Sequence, residues 1–250
     1  MKIPKNLTSR NKGFTLVEIA IVLVVVGLLI AAFLIPLSSQ IDQRNYGETK
    51  KQLEEAKESL YGYAMSHTAT DSRPYLPCPD SNNDGLEQPR VAGVCPFQEG
   101  RLPWSTLGIS RGDSWGNLIR YRVHPSFSNS VSGFTLSSAA NFRICQDSAC
   151  ATLISTGIPV VLVSHGKNGY GTYSAESGAI ILVPPSLSAN ELANMDGRDN
   201  PRAGNNSADT ADTADVDFVS TFPSSTFDDL VIWISANTIF NRMVSAEKLP

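Results

Sequence analysis

The chain has 250 residues, of which 42% are hydrophobic and 18% charged, and its formal net charge at pH 7 is −4. That balance argues against a disordered chain and leaves room for one sizeable domain beyond any apolar segment. It also argues against a nucleic-acid surface built on bulk charge, because without Lys2, Lys5, Arg10 and Lys12 only 16 basic residues face 24 acidic ones, a net charge of −8.

Those four basic residues fall within residues 1–13, which hold no acid, and Gly13-Phe14-Thr15-Leu16-Val17-Glu18 overlaps and follows them. From Ile19 to Ile41 the next 23 residues carry no charge. A helix that crosses the ~30 Å hydrocarbon core needs about 20. Basic residues flank the run on its N-terminal side alone, which predicts a cytoplasmic N-terminus and export of the remainder. A secretory signal peptide would have a shorter apolar region, about 7–15 residues, followed by an A-x-A-like site. No such triplet follows here. A plain anchor accounts for the run but not for Glu18, since a carboxylate in hydrocarbon costs a few kcal/mol unless it finds a partner. The bland reading of Glu18 is an acid snorkelling at the membrane edge.

The order of basic leader, Gly13-Phe14…Glu18 and apolar helix resembles the class III signal of type IV pilins and type II secretion pseudopilins. The resemblance implies that a prepilin peptidase cuts between Gly13 and Phe14 on the cytoplasmic side and methylates the new amino group of Phe14. The apolar helix stays. It also implies that Glu18 faces the positive N-terminus of a neighbouring subunit during assembly, an attraction strengthened by the low dielectric around it. Gly27 and Pro36 stand where pilin helices bend or unwind.

Beyond Ser38 the chain turns polar, yet Ile41, Leu53, Ala56, Leu60, Tyr63 and Ala64 recur at intervals of three and four. Lys50, Lys51, Glu54, Glu55, Lys57 and Glu58 supply charge pairs for a wet face. One helix over 14–67 would be about 80 Å long at 1.5 Å per residue. A charge-laced coiled coil is the rival, but no heptad persists. The expected organisation is a basic leader (1–13), an apolar transmembrane and assembly helix (14–37), its amphipathic continuation (38–67) and an exported head (68–250).

Residues 68–110 are irregular and rich in Pro, Asn, Asp and Gly. "GDSWGNLIRYRVHP" reads as a turn at Gly116-Asn117 and then a strand with Ile119, Tyr121 and Val123 on one face. "GFTLSS", "NFRIC", "IPVVLVSHG", "GAIILVPP" and "DDLVIWIS" are further strands. Residues 184–226 are expected to be mostly loop, including the low-complexity "SADTADTADVD". "ANTIFNRMVSAEKL" is a terminal helix with Asn237 as its cap. Short strands without long helices between them predict an α+β fold, with the long helix packed on an antiparallel sheet. The segment Asp113-Ser114-Trp115-Gly116-Asn117…Tyr121 is similar to the D-x-W-G-N-x-x-x-Y segment of major pseudopilins, which implies a sheet turn near the long helix. "LPCPDSNNDG", "GRLPW", "SHGKNG" and the tail from Phe227 resemble large prepilin-like proteins.

Cys78, Cys95, Cys145 and Cys150 all lie in the expected exported part, where disulfides form. Three pairings are open, and 78–95 with 145–150 is the simplest. Zinc is the rival, without a C-x-x-C and with His67, His124 and His165 scattered. Asp80, Asn82 and Asp84, followed by Gly85, fit the first half of a calcium loop. The closing position of that template holds Val91, so Glu87 or Glu99 would have to help. The alternative is an Asx-rich turn that needs no ion. The resemblance adds that pseudopilin heads can bind calcium at a C-terminal loop.

Ser164-His165-Gly166 lacks a surrounding G-x-S-x-G, and neighbours in a strand point to opposite faces, so no hydrolase is expected. "GKNG" is not a complete phosphate loop. Trp104, Trp115 and Trp233 are expected in the core or on a sheet face. The resemblance therefore implies a structural filament subunit with no enzymatic activity and no cofactor apart from possible calcium. Its partners would be prepilin peptidase, other pilins or pseudopilins, and an inner-membrane assembly platform. It would sit in the bacterial inner membrane with the head in the periplasm. Removing 13 residues leaves 237 of the 250, large for a major subunit, so a minor one is expected. A head that binds a surface, DNA or a secreted protein through loops 68–110 and 184–226 is the alternative. A tethered enzyme is the third.

Overall fold

The computed structural model describes residues 13–181, 188–195 and 216–250, and for 31–38 it describes the backbone alone. The first helix, α1, spans Leu16–Ser66. The chain forms two compact units, 1–44 and 45–250. In the first unit the apolar side chains of α1 are exposed, from Leu16 at 86% to Ile30 at 55%. Among the described residues no helix is long and apolar enough to cross a membrane. The span expected over Ile19–Ile41 falls partly on residues 31–38, whose side chains lie outside those described.

In the second unit α1 turns one face inward. Thr49, Leu53, Ala56, Leu60 and Ala64 are all fully buried, at the three-and-four spacing that places them on one side of a helix. Ile41, read as part of that stripe, belongs to the first unit and is exposed. The terminal helix α5, Ala236–Ser245, adds Ile239 and Met243 to the same core. Its cap is Ser235, two residues before the expected Asn237, and its hydroxyl accepts from the Thr238 amide at 3.2 Å.

The sheet that shares this core holds β1 (Glu99–Arg101), β2 (Arg120–Val123), β5 (Val160–Ser164) and β7 (Leu230–Ile234) in the order β1-β2-β5-β7, all antiparallel. A second sheet holds β3 (Phe142–Cys145), β4 (Leu153–Ile158) and β6 (Asp217–Val219) in the order β4-β3-β6. β3 and β6 run parallel, a departure from the expected all-antiparallel arrangement. Tyr121, Val123, Val160, Leu162, Leu230 and Ile234 face the helices. Val161, Val163 and Val231 face Phe142, Ile144, Ile158 and Phe218 of the second sheet. The unbroken apolar run "IPVVLVS" follows from this, because a strand covered on both faces has no wet side to alternate with.

Arg120 and Arg122 alternate with Tyr121 and Val123 and are nevertheless buried. Glu99 pairs with both, at 3.0 and 3.3 Å, and the Arg122 guanidinium lies 4.9 Å over the Phe142 ring. The sequence "EGR" carries no apolar signal for a strand, which is why β1 goes unread. "GFTLSS" is not a strand: the Thr135 amide donates to the Ser138 hydroxyl at 2.9 Å, which makes a turn, and Phe134 is drawn into a cluster with Phe127, 5.1 Å between ring centres. From "GAIILVPP", Ile180 bridges Tyr173, and 182–185 lie outside the described residues. The 184–226 region, expected to be mostly loop, contains α4 (Ala189–Ala193) as well as β6.

Two disulfides are formed, Cys78–Cys95 with Cα atoms 5.4 Å apart and Cys145–Cys150 at 5.0 Å. The first is buried beside β1; the second closes the turn between β3 and β4.

The short helix α3 (Pro125–Ser128) is capped by His124, whose Nδ1 accepts from the Ser126 amide at 3.2 Å. Burial, aided by the Arg122 charge, holds the His124 pKa below its usual 6.5. A base whose pKa is depressed by folding stabilises the fold above about pH 6.5, and that contribution is lost as pH falls. Between about pH 7.5 and about pH 5.5 the wild-type chain should therefore lose melting temperature relative to His124→Asn, which keeps an acceptor that does not titrate, in melts of the two chains run side by side.

Candidate functional site

Gly13 and Phe14 precede the helix in non-helical backbone, with Phe14 83% exposed. Thr15 then caps α1. Its hydroxyl accepts from the Glu18 amide at 3.2 Å. The Glu18 carboxylate, through Oε2, accepts from the Thr15 amide at 2.8 Å and from the Thr15 hydroxyl at 2.9 Å. This is a capping box, T-x-x-E, which satisfies two of the donors a helix start leaves open. Sequence reading passed over it although the spacing is there. It gives Glu18 a partner within its own chain. The helix that follows exposes apolar side chains on every side as far as Ile30.

Thr49 and Gln52 of α1 hold the turn at 113–117. The Ser114 amide donates to the Thr49 hydroxyl at 3.1 Å, and the Ser114 hydroxyl to Gln52 Oε1 at 3.2 Å. Asp113 Oδ1 accepts from the amides of Trp115 and Asn117, both at 2.9 Å. Its Oδ2 accepts from the Ser164 hydroxyl at 2.6 Å. Burial pushes the Asp113 carboxyl above its ordinary range. Ser164 is thus spent on Asp113 rather than on His165, which lies 3.5 Å from Asp229. Both Ser164 and His165 are buried.

The 80–85 loop closes on its own hydrogen bonds. Asp80 Oδ1 accepts from the amides of Asn82 and Asn83, each at 2.9 Å, and Oδ2 from Gly85 at 2.8 Å. Asn82 Nδ2 donates to Asp84 Oδ2 at 2.9 Å, and Asp84 Oδ1 accepts from the Leu86 amide at 2.8 Å. Asp80 is fully buried and its oxygens converge on the backbone, as in an Asx turn. Glu87, considered as a helper for an ion, instead takes the Tyr63 hydroxyl at 2.7 Å and pairs with Arg90 at 2.9 Å.

Glu191, Asp228 and Asp229 bring one carboxylate oxygen each to within 4.8 Å of one another. Asn168 Nδ2 links two of them, at 2.9 Å to Glu191 and 2.6 Å to Asp228, and Asn194 Nδ2 donates to Asp229 at 2.9 Å. Burial and the charges of Asp229 and Asp228 push the Glu191 carboxyl up to about 7. Three converging carboxylates with amide neighbours are the donor set that a hard divalent cation takes. This cluster was missed because Glu191 stands 37 residues from Asp228, across a low-complexity stretch that gives no spacing rule.

A family model described as "Prokaryotic N-terminal methylation motif" matches residues 8–34. Neither a curated relative nor a solved structure matches the chain.

Proposed function

We propose that this chain, which carries the prepilin-type N-terminal methylation signal, is a structural subunit of a type IV pilus or type II secretion filament. The observation that carries the reading is the matched signal at 8–34, joined to an apolar helix start with Glu18 at its third position. Its size supports a minor subunit. The segment Ile19–Ile41 crosses the inner membrane before assembly, the head stands in the periplasm, and assembly draws the apolar helix against those of other pilins or pseudopilins. Prepilin peptidase and the assembly platform are the remaining partners. The role of the head in this reading is structural.

Mass spectrometry of the mature N-terminus tests this. The expected result is a chain that begins at Phe14 with its amino group methylated. A mature N-terminus beyond Pro36 would mean an ordinary signal peptide and would end the filament reading.

Calcium, if the head takes it, belongs at Glu191, Asp228 and Asp229 rather than at Asp80, Asn82 and Asp84, whose oxygens already serve amide donors. A cation would offset the burial and the neighbouring negative charges that push the Glu191 carboxyl up to about 7. Millimolar calcium should raise the melting temperature of the wild-type chain. Asp228→Asn should abolish that rise and Asp84→Ala should leave it; the opposite pattern would return the site to the 80–85 loop.

A further inference from the structure

Sheet edges expose backbone donors and acceptors that other chains can pair with, and folded proteins block them by covering, capping or bulging. Among the described residues the two sheets have four edges, and three of them are blocked. Asp80 covers β1, donating to the Arg101 carbonyl at 2.9 Å and accepting from its amide at 2.8 Å. Asn194 caps β6: its Oδ1 accepts from the Val219 amide at 2.7 Å, and its Nδ2 donates to the Val219 carbonyl at 2.9 Å. β4 is kinked by register shifts at two places along its pairing with β3.

Among the described residues β7 has none of these devices. It pairs with β5 in unbroken register from Leu230 to Ile234, and no backbone bond reaches its other edge from the described residues. Its sequence, "LVIWI", has no charge and no proline, the composition that pairs most readily when left open. That edge opens on a groove of about 540 Å³. One wall is a single face of α1, with Tyr46, Lys50, Glu54 and Lys57. Ser220 and Thr221 also line the groove. Phe222, next in sequence, is 88% exposed.

We propose that β7 accepts an extended segment of a partner protein as a fifth strand of the sheet, and that this segment carries an acid. Five residues of β7 at ~3.3 Å each offer about 17 Å of pairing length. The charges in the groove select the partner. Glu54 is paired with Lys57 at 2.9 Å, and Asp229 with Asn194 and His165. Lys50 has no acidic partner among the described residues. An incoming carboxylate would complete it. Main-chain bonds would give affinity, and Lys50 would give the preference for acid. The inference concerns the head and holds whether or not the filament reading does.

The test uses the full chain in detergent micelles and two end-blocked probes of alternating valine and threonine. One has a central aspartate and the other a central lysine. Saturable binding of the aspartate probe is expected, with slowed hydrogen exchange of the amides from Leu230 to Ile234. Lys50→Glu should reverse the preference towards the lysine probe, and Thr238→Arg should abolish binding of both by filling the groove. Binding that leaves β7 exchange unchanged would overturn the proposal, as would a Lys50→Glu chain that still prefers aspartate, or no binding to the wild-type chain. Concentration-dependent protection of β7 in the chain alone would make a second copy the occupant and overturn it equally.

Discussion

Glu18→Ala should leave expression, membrane insertion and leader removal near wild type while abolishing co-purification with filament partners. In the single subunit, the Glu18 carboxylate closes a capping box with Thr15 at the exposed start of α1. Losing a cap frays the first turn of a helix 51 residues long and does little more. In an assembled filament the same acid would be buried among apolar helices, facing a neighbour's amino group. Removing one member of a buried pair leaves the other charge stranded, and a loss of at least about a hundredfold in associated partner is the expected scale. The capping box makes the two roles separable. Glu18→Gln keeps an oxygen for the Thr15 amide and removes the charge, so it should fail in assembly like alanine. Thr15→Ala removes the cap and keeps the charge, so it should assemble. The readout is subunit crosslinking or pull-down from membranes, with an anti-subunit blot beside it. Wild-type association in Glu18→Ala and Glu18→Gln would show the acid to be a bystander.

Removing the Cys78–Cys95 bridge should cost the head more than any other single covalent change. Its partners are 17 residues apart, and closing a loop of that size restricts the unfolded chain by about 3 kcal/mol in the entropic account. The loop it closes holds the 80–85 turn and Glu87, which binds the Cys78 amide at 3.2 Å and the Tyr63 hydroxyl at 2.7 Å. Cys145–Cys150 spans 5 residues, and the same account gives it about 2 kcal/mol. Alanine at both 78 and 95 should lower the melting temperature by roughly 6–12 °C for a head of this size. Alanine at both 145 and 150 should lower it less. A larger loss from the 145–150 variant, or none from 78–95, would show that the loop is held by its hydrogen bonds and not by the bridge.

What could be read from residues alone follows a physical divide. Leu53, Ala56 and Leu60 announce a helix because helical spacing and burial coincide there. The runs around Val161 and Val231 announce strands, but only the structure reveals a layer on each side of them. Glu99-Gly100-Arg101 hides a strand because its burial rests on ion pairs, which leave no apolar trace. Asp217-Phe218-Val219 hides one at the end of a repetitive acidic tract. The signal at Gly13–Glu18 is local and was legible. The capping box inside it was equally local and was overlooked, because the acid already had an explanation. The cluster of Glu191, Asp228 and Asp229 is non-local, made by α4 and the approach to β7 meeting beside Asn168. No spacing rule reaches across such a fold.

The buried face of α1 has a mechanical meaning. Tension applied along the part of α1 that lies within the head, residues 45–66, runs parallel to the seam between that part and the sheet. Leu53, Ala56, Leu60 and Ala64 lie along the seam, with Ser114 bonded to Thr49 and Gln52 at one end and Arg242 bonded to Glu58 at 2.9 Å farther along. A load in that direction shears these contacts together instead of peeling them one by one. Rupture then needs most of the seam to fail at once, and the lifetime of the head under pull is set by its unfolding rate and not by its equilibrium stability.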